Sequence, residues 1–147
     1  MRDRSPIQSV ALAVGVVFLL VGILGFVPGI TSNYDDLKFA GHGSDAQLLG
    51  LFDTSVLHNI VHLLFGVAGI VLSKTWDGAR TFLIGGGAIY LVLFVYGAIF
   101  HGEAGSNWIP VNWADNVLHL ALGAGMVVLG VVLGKDAVRK GTPVTAT

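Results

Sequence analysis

The residues able to do chemistry in this chain are few, and most of them are histidines: His42, His58, His62, His101 and His119. His58 and His62 stand four apart, as do Asp115 and His119. On a helix that spacing puts both members of a pair on one face. Two such helices would offer His58, His62, Asp115 and His119 as a ligand set for a divalent metal ion. A different chemistry needs only His62 and His119, one from each helix, as axial ligands of a haem b. Gly66 and Gly123, one turn further along, would then leave space for the porphyrin. The third reading needs no cofactor. Asn59, His62, Asn116 and His119 would form a structural polar cluster, joined across the helices by hydrogen bonds worth about 0.6 kcal/mol each. In that case Asn112-Trp113-Ala114-Asp115 resembles a capping box closed by a carboxylate, and His58 faces interfacial water. His101 and Glu103 are expected at the same level, at the end of the intervening span. An ionisable group inside a membrane is by default a functional hypothesis.

Enzyme chemistry is poorly supplied. There is no cysteine, hence no thiolate nucleophile, disulfide or Cys-type zinc site. The serines nearest the histidines are Ser55, at a helix start, and Ser73, at the opposite end, so nucleophile geometry is lacking. No His-Glu-x-x-His occurs and no acidic residue lies deep in an apolar stretch, which argues against a zinc protease or a proton-coupled carrier. The chain is expected not to be an enzyme.

The elements that position these residues follow from composition. The 147 residues are 54% hydrophobic and 12% charged, with a mean hydropathy of +0.78. Soluble domains carry about 25% charge, so this is the profile of a membrane protein. A net charge of −1 gives no electrostatic case for nucleic acid. Residues 5–34, 54–73, 81–102 and 116–134 contain no Asp, Glu, Lys or Arg. Each can cover a bilayer core of about 30 Å. They predict a single all-α domain, a four-helix transmembrane bundle, with spans at about 7–27, 54–73, 81–101 and 114–134. An outer loop would occupy 28–53 and a disordered tail 141–147. Ser5-Pro6 supplies an N-cap and a first-turn proline. The first apolar run is too long for a signal peptide and reads as a retained anchor.

Basic residues set the orientation. Arg2, Arg4, Lys74, Arg80, Lys135, Arg139 and Lys140 fall on one side and Lys38 alone on the other, so both termini are expected in the cytoplasm of a cell with this protein in its plasma membrane. The outer side is acidic, with Asp35, Asp36, Asp45, Asp53 and Glu103. The long outer loop offers residues 46–52 as a short interfacial helix. The short link 74–80 makes spans two and three antiparallel neighbours. Tyr34, Trp76, Trp108 and Trp113 lie near span ends, where an aromatic belt is expected. Gly85-Gly86-Gly87 reads as a packing surface, since no strand precedes it.

An internal repeat relates the halves. An offset of 57 places Asn59, His62, Leu63 and Gly66 over Asn116, His119, Leu120 and Gly123, and an offset of 72 places Gly15, Phe18 and Gly25 over Gly87, Tyr90 and Gly97. The bundle is thus read as two parallel helical-hairpin repeats about an axis along the membrane normal. Alternate steps of four and three residues pick out Ala11, Gly15, Phe18, Gly22, Gly25 and Gly29 in span one. The same steps give Ser55, Asn59, His62, Gly66, Gly69 and Ser73 in span two, and Asn112, Asn116, His119, Gly123, Met126 and Gly130 in span four. Small residues at this spacing let helices approach closely, so these stripes should face inward and Leu, Val and Ile should face lipid.

The run from Gly50 to Gly69, with its Leu57-His58-Asn59-x-x-His62-Leu63 motif, is matched by Ala114-Asp115-Asn116-Val117-Leu118-His119-Leu120-Ala121-Leu122-Gly123. With Gly41-His42-Gly43 and residues 83–92, these motifs resemble those of a family of small actinobacterial membrane proteins of unknown function, DUF4383. The resemblance covers about residues 10–134. It implies a four-helix integral membrane protein and transfers no catalytic residue. The resulting expectation is a structural or interaction component of a bacterial envelope assembly, in the lipid bilayer with membrane-protein partners or as a homo-oligomer, and without a cofactor. The alternative is a haem b or metal-binding protein using the histidines of spans two and four.

Overall fold

The computed structural model describes residues 4–41, 43–100 and 109–139, with side chains described up to 135. Four helices account for most of it: α1 (Pro6–Leu24), α2 (Val56–Leu72), α3 (Trp76–Ile99) and α4 (Trp113–Arg139). Pro6–Leu24, Trp76–Ile99 and Trp113–Lys135 are long and apolar enough to cross a membrane, while α2 is a shorter apolar helix. At 1.5 Å per residue, α2 is about 26 Å long, slightly less than a bilayer core.

Each helix start has a local cause. Ser5 donates from both its N–H and its hydroxyl to Gln8 Oε1, at 3.1 and 3.0 Å, and Pro6 opens α1 without a backbone donor to satisfy. Ser55 Oγ accepts from the His58 N–H at 3.2 Å, and Thr75 Oγ1 accepts from the Gly78 N–H at 3.1 Å. That threonine cap, followed by Asp77 in the first turn, starts α3 at Trp76, ahead of the charge-free stretch that marks the span in the sequence.

The helices associate as two close pairs, α1 with α2 and α3 with α4, and the pairs meet each other much less extensively. Glycines bring the paired backbones together. A Cβ on Gly15 would lie 2.8 Å from the Ile70 nitrogen, and one on Gly87 would lie 2.8 Å from the Gly123 carbonyl oxygen. Most of each inward stripe is buried: Ala11, Gly15, Phe18 and Gly22 in α1 with Gly25 at its C-cap; Ser55, Asn59, Gly66, Gly69 and Ser73 around α2, where His62 is half-buried; and Asn116, His119, Gly123, Met126 and Gly130 in α4, with Asn112 half-buried just before it. Gly29 departs from its stripe, because α1 has ended and the residue takes φ +90° in an exposed turn. Leu64, Val92, Val128 and Val17 are exposed on the outside of the bundle, an apolar surface suited to lipid.

The apolar core of Ile7, Ala11, Phe18, Ala79, Phe82, Leu83, Tyr90 and Met126 occupies the interior. Basic residues collect at the end where α2 turns into α3. There Gln8 Nε2 donates to the Lys74 carbonyl at 2.9 Å, and the backbone of Gly134 approaches the Arg80 side chain.

The opposite end is closed by the long loop, and here the structure corrects the expectation of a short helix at 46–52. The segment is a hairpin in a small antiparallel sheet of order β1 (Thr31–Ser32), β2 (Gln47–Leu48), β3 (Phe52–Asp53). Leu48 pairs with both Thr31 and Phe52. Burial explains the outcome: Ala46 and Leu48 are buried while Asp45 is exposed, a period of two rather than 3.6. Leu49 (φ 56°) and Gly50 (φ 67°) make the turn in the left-handed region, which a continuing helix cannot contain. The loop also serves α2, since the Val56 and Leu57 N–H groups donate to the carbonyls of Lys38 and Phe39 at 3.0 and 2.9 Å. These satisfy donors that a helix start otherwise leaves free.

Candidate functional site

Beneath the sheet, the separation of the two helix pairs leaves a cavity of about 350 Å³. Val14, Val17 and Val21 of α1 and Leu118 and Leu122 of α4 form its sides, and Leu48, Leu49 and Phe52 of the loop form its roof. A smaller cavity of about 140 Å³ lies across the bundle, between Leu57, Val61 and Phe65 of α2 and Ile89 and Leu93 of α3. His58, His62, Tyr90 and His119 line both. The histidines therefore form a partition between two apolar spaces.

His62 and His119 both line the two cavities. His58 joins them, its ring centroid 4.5 Å from that of His62. The Nδ1 atoms of His58, His62 and His119 are buried and have no hydrogen-bond partner among the described residues. The expectation that His58 faces interfacial water is thus corrected, because its ring turns inward under the loop roof. Aromatic side chains hold the rings in place. Phe18 lies 5.7 Å from His62 and 5.2 Å from Tyr90, and Tyr90 stands edge-on to His119 at 5.3 Å.

Asp115 lines the larger cavity, yet one of its carboxylate oxygens is already committed. Its Oδ2 accepts from the Asn112 N–H and the Asp53 N–H, both at 3.0 Å, while the Asp115 N–H donates to Asn112 Oδ1 at 3.0 Å. This is the reciprocal cap read from the sequence, extended to hold the loop. Asn112 Nδ2 adds a 2.7 Å bond to the Leu51 carbonyl. The metal reading of His58, His62, Asp115 and His119 gains no support here: Asp115 Oδ2 is turned to backbone donors, and among the described residues no three His, Asp or Glu side chains are grouped to hold a metal ion.

The space expected for a porphyrin is also taken. A Cβ on Gly66 would meet the backbone of Leu19, and one on Gly123 would lie 2.9 Å from Leu91. These glycines admit a neighbouring helix rather than a macrocycle. Nor do Asn59 and Asn116 bond across the bundle to the histidines. Asn59 Oδ1 accepts from the Thr54 hydroxyl at 2.6 Å, and its carboxamide fills the space over Gly25. Asn116 fills the corresponding space over Gly97, with neither its Oδ1 nor its Nδ2 partnered among the described residues. His42, His101 and Glu103 lie outside the described residues, as does the tail at 141–147.

Tyr90, Phe18 and Phe52 belong to the site although spacing arguments about metal or haem ligands pass over them. The signal that marks two of them is the repeat itself, since Phe18 and Tyr90 correspond at an offset of 72. Corresponding contacts recur at the same offsets: Gly25 with Asn59 and Gly97 with Asn116, Gly66 with Leu19 and Gly123 with Leu91. A family described as Domain of unknown function (DUF4383) matches residues 8–132. No curated protein and no solved structure matches the chain. The matched stretch runs from the first turn of α1 into the later turns of α4 and contains the whole histidine partition, and the chain belongs to the DUF4383 family.

Proposed function

We propose that this protein is a non-enzymatic multi-pass protein of the plasma membrane that works by binding a small molecule in the histidine cavity. On this reading both termini lie in the cytoplasm and the cavity in the outer leaflet. The observation that supports this most is the convergence of three histidine side chains on one apolar space, each with a buried Nδ1 that has no hydrogen-bond partner among the described residues. Buried polar groups are normally paired, and leaving one unpaired costs about 1–3 kcal/mol. An apolar cavity with a few convergent polar groups is the usual form of a small-molecule site. Catalysis has less support, because Asp115 holds backbone donors and the Thr54 hydroxyl is given to Asn59. The charge distribution favours the orientation: Arg4, Lys74, Arg80 and Lys135 belong to the helix-turn end, and Asp45, Asp53 and Asp115 to the loop end.

Native mass spectrometry of protein extracted in mild detergent tests the reading. The wild type should carry a non-covalent small-molecule adduct, and the His62→Leu, His119→Leu double variant should lose it while keeping its helical content. A wild type that runs only at its sequence mass, alone or with other proteins attached, would overturn the binding role and favour a structural or interaction component.

A further inference from the structure

The cavity has a direction and a charge preference, and together they define its occupant more narrowly. It opens sideways. The cleft between α1 and α4 is flanked by Val17 at 55% exposure and Leu118 at 39%, both on the apolar outside of the bundle, so the mouth faces lipid rather than water. Val14, Val17 and Val21 extend the cleft along α1 over about 10 Å at 1.5 Å per residue. An apolar tail can lie there.

Among the described residues no lysine or arginine lines either cavity, whereas Asp53 and Asp115 line the larger one. An anionic headgroup would therefore find carboxylates and no counter-charge, which is costly at low dielectric. A cationic headgroup would compete with donors already in place, since Asp115 Oδ2 accepts the Asn112 and Asp53 N–H groups and Asp53 Oδ1 accepts the Gln47 side chain. An uncharged head has what it needs. A neutral imidazole offers one donor and one acceptor nitrogen, and imidazoles arrive from two separate helices, His58 and His62 from α2 and His119 from α4. The rings of Phe18, Phe52 and Tyr90 on the same cavity supply faces and edges against which a flat ring packs well.

We propose that the histidine cavity is a laterally open site for an uncharged, membrane-dissolved molecule with a planar ring bearing carbonyl or hydroxyl oxygens and an apolar tail, the chemistry of a lipid-soluble quinone. Imidazole nitrogens from α2 and α4 hydrogen-bond oxygens on two sides of the ring, and the tail leaves through the α1–α4 cleft into the bilayer. The proposal rests on the binding reading above, and the choice of probes separates the two.

The test is binding to full-length protein in lipid nanodiscs, read by quenching of tryptophan fluorescence and by competition. The probes are a 1,4-naphthoquinone with a short prenyl tail, dodecanol, palmitate and dodecylamine. The naphthoquinone should bind at least about tenfold more tightly than the other three. His62→Leu and His119→Leu should each weaken it about tenfold or more. Val17→Phe and Leu118→Phe, at partly exposed positions flanking the cleft, should block it without changing thermal stability or adding a tryptophan to the readout. Preference for palmitate or dodecylamine would overturn the uncharged head, and equal affinity for dodecanol would overturn the planar ring while the histidine cavity stayed a binding site. Naphthoquinone binding indifferent to all four substitutions would overturn the location. Failure of every probe, with a bare native mass, would remove the binding reading as well.

Discussion

Asn59 and Asn116 each occupy the space that a side chain would take on the helix beside them, Gly25 for one and Gly97 for the other. Placing even a methyl group there forces a buried carboxamide to move. Gly97→Ala and Gly25→Ala should therefore each destabilise the protein by about 1–3 kcal/mol, the range for overpacked cores, as measured by unfolding in detergent. Gly85→Ala, where a Cβ meets nothing, serves as the control and should be neutral or slightly stabilising. The sequence spacing places both asparagines and both histidines on the inward faces; Asn59, Asn116 and His119 are buried there and His62 is half-buried. What spacing does not contain is the partner across the gap. A stripe identifies which residues point inward, but whether Asn59 meets a histidine or a glycine depends on the vertical register of α1 against α2, and on Thr54 offering its hydroxyl first.

At the scale of elements, the loop between α1 and α2 is held by side chains of the helices it covers. Asp115 is the main tie, because one carboxylate oxygen caps α4 and also accepts the Asp53 N–H. Asp115→Ala should cost about 0.5–2 kcal/mol from the lost cap and should speed amide exchange at Asp53. A metal ligand would behave differently, so metal content unchanged between wild type and Asp115→Ala is expected in elemental analysis. Thr54→Val leaves the Asn59 carbonyl oxygen without its donor and should lower stability by about 1–3 kcal/mol. The helices were legible because charge-free stretches and caps are local signals. The hairpin at β2 and β3 was not, because Ala46, Leu48 and Phe52 read equally as a short apolar helix until the β1 segment supplies the backbone partners that make it a sheet.

At the scale of the molecule, two close helix pairs facing each other across a looser interface produce clefts on both sides, and the histidine partition lies where those clefts meet. The repeat in the sequence pointed to pairing within each half, since corresponding glycines serve both. It gave no hint of the cavities, which depend on how far apart the halves stand. The orientation predicts that a cysteine at Asp45 reacts with a membrane-impermeant thiol reagent in intact cells and that one at Lys74 does not. The reverse pattern would invert the placement of the cavity.

The central claim, that the buried imidazoles are a binding site, is tested most directly by solid-state nitrogen NMR of histidine-labelled protein in bilayers. Spectra would be compared before and after detergent stripping, with His58→Gln, His62→Gln and His119→Gln providing assignments. If these imidazoles hold an occupant, the ring-nitrogen resonances of His62 and His119 change when it is removed and recover when the lipid extract is returned. Resonances that are identical in the stripped and restored states would contradict the claim, because imidazoles with no ligand to lose serve only the fold.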